Sequence, residues 1–185
     1  MMRLNEIFSS DFISRLNSLN KDGHVNPNEE VEGPVDVERF LKELNFQVHI
    51  EKQMNGSGKI SNNDIFIDGS ENRQRQRFSM AHELGHAMQN VRYANRNDDS
   101  SDYSSEDRQD EVFANAFAAQ FLMPKVLVSR GVRQAISDQH LDGRHLQMAE
   151  VKSIIKMVAG QLDVSTMAMK YRIDNLGIFV PAEDK

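Results

Sequence analysis

The chain has 185 residues, a formal net charge of −6 and no cysteine. This length suits one domain with a buried core, and the lack of cysteine excludes disulfides and fits a reducing compartment. No apolar run approaches the roughly 20 residues that cross a bilayer, and the N-terminal residues lack the apolar stretch of a signal peptide, so we expect a cytoplasmic protein without a membrane partner. The acidic balance argues against direct nucleic-acid binding, because such binding depends on basic residues.

The N-terminal residues predict two helices separated by a linker. Apolar side chains at helical spacing indicate an amphipathic helix over residues 3–19. Residues 22–34 contain Gly and Pro without periodicity and predict a linker. The second helix is predicted to follow the N-cap Asp36 and to run through Leu44, because Asn45 suits the left-handed conformation that ends a helix.

Two strands and a long helix are predicted next. Alternating apolar residues indicate a half-buried strand at 46–52, the glycines of 55–59 indicate a turn, and 63–68 indicate a second strand. The apolar residues that alternate in the first strand are Phe46, Val48 and Ile50. A helix is predicted over 73–91. The second strand directly precedes this helix, and the edge of that strand could be open to an extended peptide.

The rest of the chain predicts a loop and then helices. Residues 92–106 are polar, rich in acids and low in complexity, which predicts a mobile loop. This loop is either a solvated spacer or a surface that attracts a basic partner. Helical periodicity and cap residues predict four helices, at 110–123, 124–136, 147–161 and 166–175. The order of helix, strands and helices predicts an α+β fold with segregated elements.

The stretch RFSMAHELGHAMQN carries the pattern H-E-x-x-H at His82, Glu83 and His86. On a helix, residues four apart lie on one face, so both imidazoles could bind one metal ion. Glu83 projects one residue further round, where it could act as a general base on a water molecule. Gly85 would let another backbone pack closely against this helix. The alternative is a helix that carries two exposed or core histidines.

A catalytic zinc site requires a third protein ligand. The long metzincin pattern places glycine and histidine three and six residues beyond the second histidine. This chain has Gln89 and Arg92 at those positions, so that pattern is absent. His140 and His145 lie in a loop without a defined register and stay possible as ligands.

Glu111 is the better candidate for the third ligand. It lies near the start of an apolar helix whose small residues, Ala118 and Ala119, would allow close packing. Asn115 lies one turn later on the same face and could hydrogen-bond one of the metal ligands without binding the metal itself. Asp110 could compete for the ligand role, and Glu111 could instead serve only to stabilise the helix N-terminus.

Two sequence blocks, RQRFSMAHELGHAM and DEVFANAFAAQFLMP, resemble the ImmA/IrrE family of bacterial and phage metallopeptidases. That family has R-x-R-F-x-x-A-H-E-x-x-H followed by E-x-x-A-N-x-F-A-A-x-x-L-M-P. The C-terminal LDVSTMAMKYRIDNLGIF also resembles the family's closing pattern, with Ile173 in place of the usual Leu. The resemblance begins weakly near Val35. It therefore implies an N-terminal helix and linker at 1–34 and a metallopeptidase domain at 35–185.

The resemblance implies a zincin-like fold, with a small β-sheet packed on helices, an active-site helix that carries both histidines, and a helical C-terminal part. It implies zinc bound by His82, His86 and Glu111, a gluzincin-like set, with Glu83 as the base. Manganese and iron accept the same donors and stay open. Such proteins often lie beside a helix-turn-helix repressor on a mobile element or in a stress operon. The resemblance therefore implies a protein substrate of that kind and a part in transcription regulation.

Two other functions stay open. The segment VAGQLDVSTMAMKYRIDNLG has the rhythm of a DNA-binding helix-turn-helix, but its second helix offers only Lys170 and Arg172 as basic groups. A zincin-like protein could also bind a repressor without cutting it, although the intact Glu83 argues against this. If the protein is a peptidase, the residues that could stabilise the oxyanion are Tyr93, Tyr103, His140 and His145.

Overall fold

The computed structural model describes residues 1–90, 93–95 and 105–180, with the backbone alone for 93–95 and 105–107. The chain divides into two compact units, Met1–Leu122 and Met123–Lys185. Residues 1–34, the predicted N-terminal segment, belong to the first unit. Most of the predicted acidic loop at 92–106 lies outside the described residues.

The first unit contains six short strands and five helices within the described residues. The strands are β1 (Met2–Arg3), β2 (Glu30–Val31), β3 (Gln47–Glu51), β4 (Gly58–Ser61), β5 (Asp64–Asp68) and β6 (Tyr93–Asn95). The helices are α1 (Leu4–Ile7), α2 (Ser10–Asn17), α3 (Val37–Glu43), α4 (Arg73–Met88) and α5 (Ser105–Leu122). This mixture of small sheets and helices confirms the predicted α+β, zincin-like fold class.

Four of the strands form one sheet in the order β3-β5-β4-β6. β3 pairs with β5 in parallel, whereas β4 is antiparallel to both β5 and β6. The predicted open edge at 63–68 is therefore wrong, because β5 is paired on both sides. The predicted turn at 55–59 is also too long, since β4 already begins at Gly58.

Helix α4 covers one face of this sheet, where it packs against β4 and β5. The side chains that β4 and β5 bury are fully enclosed: Ile60 is 2 % exposed, and Ile65 and Ile67 are 0 % exposed. The predicted burial of β3 holds for Phe46 just before it but fails for Ile50, which is 55 % exposed. As an edge strand, β3 has fewer neighbours to cover its side chains.

The N-terminal helix predicted over residues 3–19 is two helices. Phe8 has an extended backbone, with φ −120° and ψ 145°, and it ends α1. The hydroxyl of Ser9 then accepts a hydrogen bond from the Phe12 amide at 3.2 Å and begins α2 as its N-cap. In contrast, the predicted α3 is confirmed: Asp36 caps it, and Asn45 adopts a positive φ of 61°.

A cluster of phenylalanines joins the N-terminal residues to α5. The ring of Phe121 is stacked on Phe8 at a centroid distance of 5.5 Å and on Phe117 at 5.7 Å. It also meets the ring of Phe40 edge-on at 5.1 Å. Because Phe121 is only 1 % exposed, this cluster is part of the core that holds α5 in place.

The second unit is helical in the residues described. It contains α6 (Lys125–Asp138), α7 (Met148–Gln161) and α8 (Thr166–Asn175). The predicted start of α6 after Pro124 and the predicted Ser165 cap of α8 are both confirmed. Arg172 of α8 donates a hydrogen bond from Nε to the Met123 carbonyl at 2.9 Å. Throughout the part of the chain that the structure describes, no single helix is long and apolar enough to cross a membrane.

The phenylalanine cluster gives a test of this core. Replacement Phe121→Ala removes a buried ring from four aromatic neighbours, so the free energy of unfolding should fall by about 3 to 5 kcal/mol. Phe113→Ala is the matched control, because Phe113 also lies on α5 but is 37 % exposed. Urea unfolding should show a much smaller loss for this control, and equal losses would contradict the assignment of Phe121 to the core.

Candidate metal centre

Helix α4 presents both histidines of the H-E-x-x-H pattern on one buried face. Its N-cap Asn72 accepts a hydrogen bond from the Arg75 amide at 3.0 Å. His82 is 0 % exposed and His86 is 1 % exposed. Their spacing of four residues brings the two Nε2 atoms to 3.1 Å from each other. Both imidazoles therefore direct the same ring nitrogen towards one point.

The third member of the group comes from α5. Oε2 of Glu111 lies 3.3 Å from Nε2 of His82, and Oε1 of the same carboxylate lies 3.2 Å from Nε2 of His86. These three residues form a group of potential metal ligands whose donor atoms all lie within 4.8 Å of one another. No other such group occurs among the residues that the structure describes.

The distances in this group match a tetrahedral metal site. With zinc–ligand bonds of about 2.0 to 2.1 Å, tetrahedral geometry separates two ligand atoms by about 3.3 Å. Here the two Nε2 atoms are 3.1 Å apart, and different oxygens of Glu111 lie 3.2 Å from His86 and 3.3 Å from His82. Two imidazole nitrogens and one carboxylate oxygen are also the donor set of many catalytic zinc sites. The residues present therefore fit a metal ion in both geometry and chemistry.

The electrostatics keep the Glu111 carboxylate ionised. Partial burial by itself raises the pKa of Glu111, but hydrogen bonds and charge from His82 and His86 outweigh burial and lower it to about 2. The carboxylate is consequently an anion at neutral pH. A divalent cation requires deprotonated ligands, and an ionised carboxylate beside two imidazole nitrogens meets this requirement.

Close packing of α4 on α5 makes this arrangement possible. A Cβ atom on Gly85 would lie 2.9 Å from the Ala114 Cα and 3.2 Å from the Phe117 Cβ. Such distances leave no room for a side chain, so the two helix backbones touch directly at this point. The prediction that Gly85 allows another backbone to approach is thus confirmed by the structure.

Two arginines anchor α4 to the rest of the first unit. Arg77 is 5 % exposed and donates a hydrogen bond from Nη2 to the Val35 carbonyl at 3.0 Å. Arg75 donates from Nη2 to the Ser57 hydroxyl at 3.1 Å, and that hydroxyl donates to Glu71 at 2.8 Å. These contacts fix the helix that carries both histidines.

Glu83, the predicted base, is 0 % exposed and lies against the start of β4. A Cβ atom on Gly58 would be only 2.9 Å from Oε1 of Glu83. The sequence analysis missed this neighbour, because the surrounding glycines and Ser57 indicated only a turn. The useful signal would have been the alternation of Gly58 and Ile60, which places both on the buried face of β4.

Other predicted site residues lie apart from the group or outside the described residues. Asp110 is not a member of the ligand group, although it neighbours Glu111. Asn115 is exposed on α5. Its predicted hydrogen bond to a metal ligand is not found among the hydrogen bonds of the described residues. That role therefore stays a prediction.

The four candidates for oxyanion stabilisation also stay predictions. His140 and His145 are exposed in the second unit, where His145 Nδ1 lies 3.0 Å from a carboxylate oxygen of Asp142. Tyr103 and the side chain of Tyr93 lie outside the described residues. None of the four belongs to the ligand group found in the described part of the chain.

Comparison with known families gives one match. The family model described as Peptidase_M78, the IrrE N-terminal-like domain, matches residues 41–174. This span includes both histidines, Glu83 and Glu111, as well as most of the helical second unit. No curated protein matches the chain.

The contact at Gly85 gives a test of the site's construction. Gly85→Ala should push α5 away from α4, so the dissociation constant for zinc should rise about tenfold or more, as when a supporting contact of a metal site is lost. Gly160→Ala is the control, since a Cβ atom there meets nothing within 4 Å. Competition with a chromogenic chelator measures both constants. A Gly85→Ala protein that binds zinc as tightly as the parent would contradict the packing argument.

Proposed function

The chain belongs to the peptidase family of the IrrE N-terminal-like domain, and from this membership we propose that it hydrolyses peptide bonds with a metal ion held by His82, His86 and Glu111. One observation carries the assignment of these ligands. The two imidazole Nε2 atoms lie 3.1 Å apart, and each lies 3.2 to 3.3 Å from a different oxygen of the Glu111 carboxylate. This set of two nitrogens and a carboxylate matches the donors of many catalytic zinc sites.

The chain's own residues then divide the work of hydrolysis. When bound, the metal supplies a Lewis acid that polarises the scissile carbonyl and acidifies water. Glu83 accepts the proton of the attacking water and returns it to the leaving nitrogen. The side chain of Glu83 is 0 % exposed, so the protein shields it from bulk solvent. His82, His86 and Glu111 would hold the metal, and Glu111 would contribute the negative charge.

We take zinc as the metal, because two histidines and a glutamate are a frequent catalytic zinc set. Manganese and iron accept the same donors. Elemental analysis of the purified protein distinguishes the three metals. The lack of cysteine fits a reducing compartment, and we therefore propose that the protein acts in the cytoplasm.

The substrate that we propose is a helix-turn-helix repressor encoded next to this chain, which would give the peptidase a part in transcription regulation. The support is the resemblance of both motif blocks to the ImmA/IrrE family, whose members often accompany such repressors on mobile elements. A basic DNA-binding protein also suits a chain with a net charge of −6.

The contacts of α8 weigh against the alternative of direct DNA binding. Lys170 forms an ion pair with Asp174 at 2.6 Å, and Arg172 is engaged with the Met123 carbonyl. The two basic groups of this helix are therefore both used within the second unit. Few positive charges are left on α8 for phosphate contacts.

Two substitutions separate the base from the ligand. Glu83→Gln keeps the size of the side chain but cannot take up a proton, so bound zinc should stay while the rate of repressor cleavage falls by about 10² or more. Glu111→Gln removes the anionic ligand and should lower zinc retention. The measurements are zinc per chain and the cleavage rate of the adjacent repressor.

The exposed Glu38 of α3 supplies a control, since Glu38→Gln should change neither zinc content nor rate. Full cleavage by Glu83→Gln would remove Glu83 from the mechanism. Loss of zinc from Glu83→Gln but not from Glu111→Gln would reverse the two roles. A protein that binds the repressor, holds zinc and never cleaves would be the non-proteolytic regulator.

A further inference from the structure

Gly58, the first residue of β4, lies against the carboxylate of Glu83. A Cβ atom at this position would be 2.9 Å from Oε1 and 3.5 Å from Cδ of Glu83. It would also be 3.4 Å from the Cδ1 atom of Ile67, which is an ordinary contact. The one severe conflict of an added methyl group is therefore with the proposed base.

The backbone conformation does not explain a glycine here. Gly33, Gly56 and Gly177 have positive φ values of 82°, 91° and 60°, where other residues are strained. Gly58 is not among the glycines with positive φ, so an alanine could adopt its conformation. What requires glycine at residue 58 is the space that the Glu83 carboxylate occupies.

The segment that carries Gly58 is firmly held. Gly58 pairs with Ile67 in the antiparallel register of β4 and β5. The preceding Ser57 is 2 % exposed, and its hydroxyl bonds to both Glu71 and Arg75. Its carbonyl accepts a hydrogen bond from the Asp68 amide at 3.2 Å. The backbone at residue 58 therefore has little freedom to retreat from a crowded neighbour.

We propose that Gly58 is a positioning residue for Glu83, which fixes the carboxylate by presenting a close, immobile backbone surface without a side chain. The consequence for catalysis rests on the proposed peptidase function. In Gly58→Ala the carboxylate, as the end of a flexible side chain, moves before the pinned backbone does. Since small misplacements of a catalytic group are costly, kcat should fall about tenfold or more, while KM changes less than about twofold and zinc content is unchanged.

The contact itself can be tested without metal or substrate. Gly58→Ala is introduced into the full-length, metal-free protein in three backgrounds: the parent, Glu83→Gln and Glu83→Ala. Glutamine keeps the atoms that meet the new methyl group, whereas alanine removes them. The substitution should lower Tm by about 3 to 8 °C in the parent and in Glu83→Gln, as overpacking of a buried site does. In Glu83→Ala it should lower Tm by less than about 1 °C, because the methyl group enters vacated space.

Gly160→Ala in the same three backgrounds is the control, and its effect on Tm should not depend on residue 83. Equal losses of Tm for Gly58→Ala in all three backgrounds would overturn the proposal, since Gly58 would then act on the strand and not through Glu83. An unchanged kcat in a zinc-loaded Gly58→Ala protein would also overturn it. If no variant, including the parent, cleaves the repressor, the proposed function fails while the Tm comparison still decides whether Gly58 positions Glu83.

Discussion

The direct contact of α4 and α5 at Gly85 and Ala114 is the constraint on which the first unit depends. A side chain at Gly85 would lie 2.9 Å from the Ala114 Cα, so the helices approach as closely as their backbones permit. At this separation a glutamate on α5 reaches two histidines on α4. A spacing larger by one methyl group would move the backbone of Glu111 away from both Nε2 atoms.

Much of the remaining unit serves to hold these two helices in register. The phenylalanine cluster around Phe121 fixes the C-terminal half of α5, and the buried isoleucines of β4 and β5 support α4 from below. Arg77 ties the same helix to Val35. This apolar and backbone support offsets the cost of removing His82, Glu83 and His86 from water.

The sequence predicts well what local interactions determine. The caps at Asp36 and Ser165 and the start of α6 after Pro124 need only neighbouring residues, and they are found where predicted. The break between α1 and α2 was missed because apolar periodicity continues across it, although Ser9 is a strong cap. The spacing of four residues within a helix was enough to place His82 and His86 side by side.

Contacts distant along the chain were harder to predict. Strand order depends on pairing between segments, so periodicity could not show that β5 is central. The approach of Glu111 to the histidines was predicted from helix spacing and small residues, and the family resemblance favoured Glu111 over Asp110; the structure brings Glu111 into the group. Gly58 was missed for the same reason: the alternation with Ile60 indicates only that it is buried, whereas the side chain it meets lies 25 positions away on another element.

The central claim is that His82, His86 and Glu111 bind one metal ion together. X-ray absorption at the zinc K-edge, on protein loaded with one equivalent of zinc, tests it most directly. The account predicts two imidazole ligands and oxygen donors at about 2.0 to 2.1 Å in four-fold coordination. It also predicts one imidazole fewer when His86 is replaced by Ala. A six-coordinate, all-oxygen spectrum that is unaffected by His86→Ala would show that zinc binds elsewhere and would contradict the account.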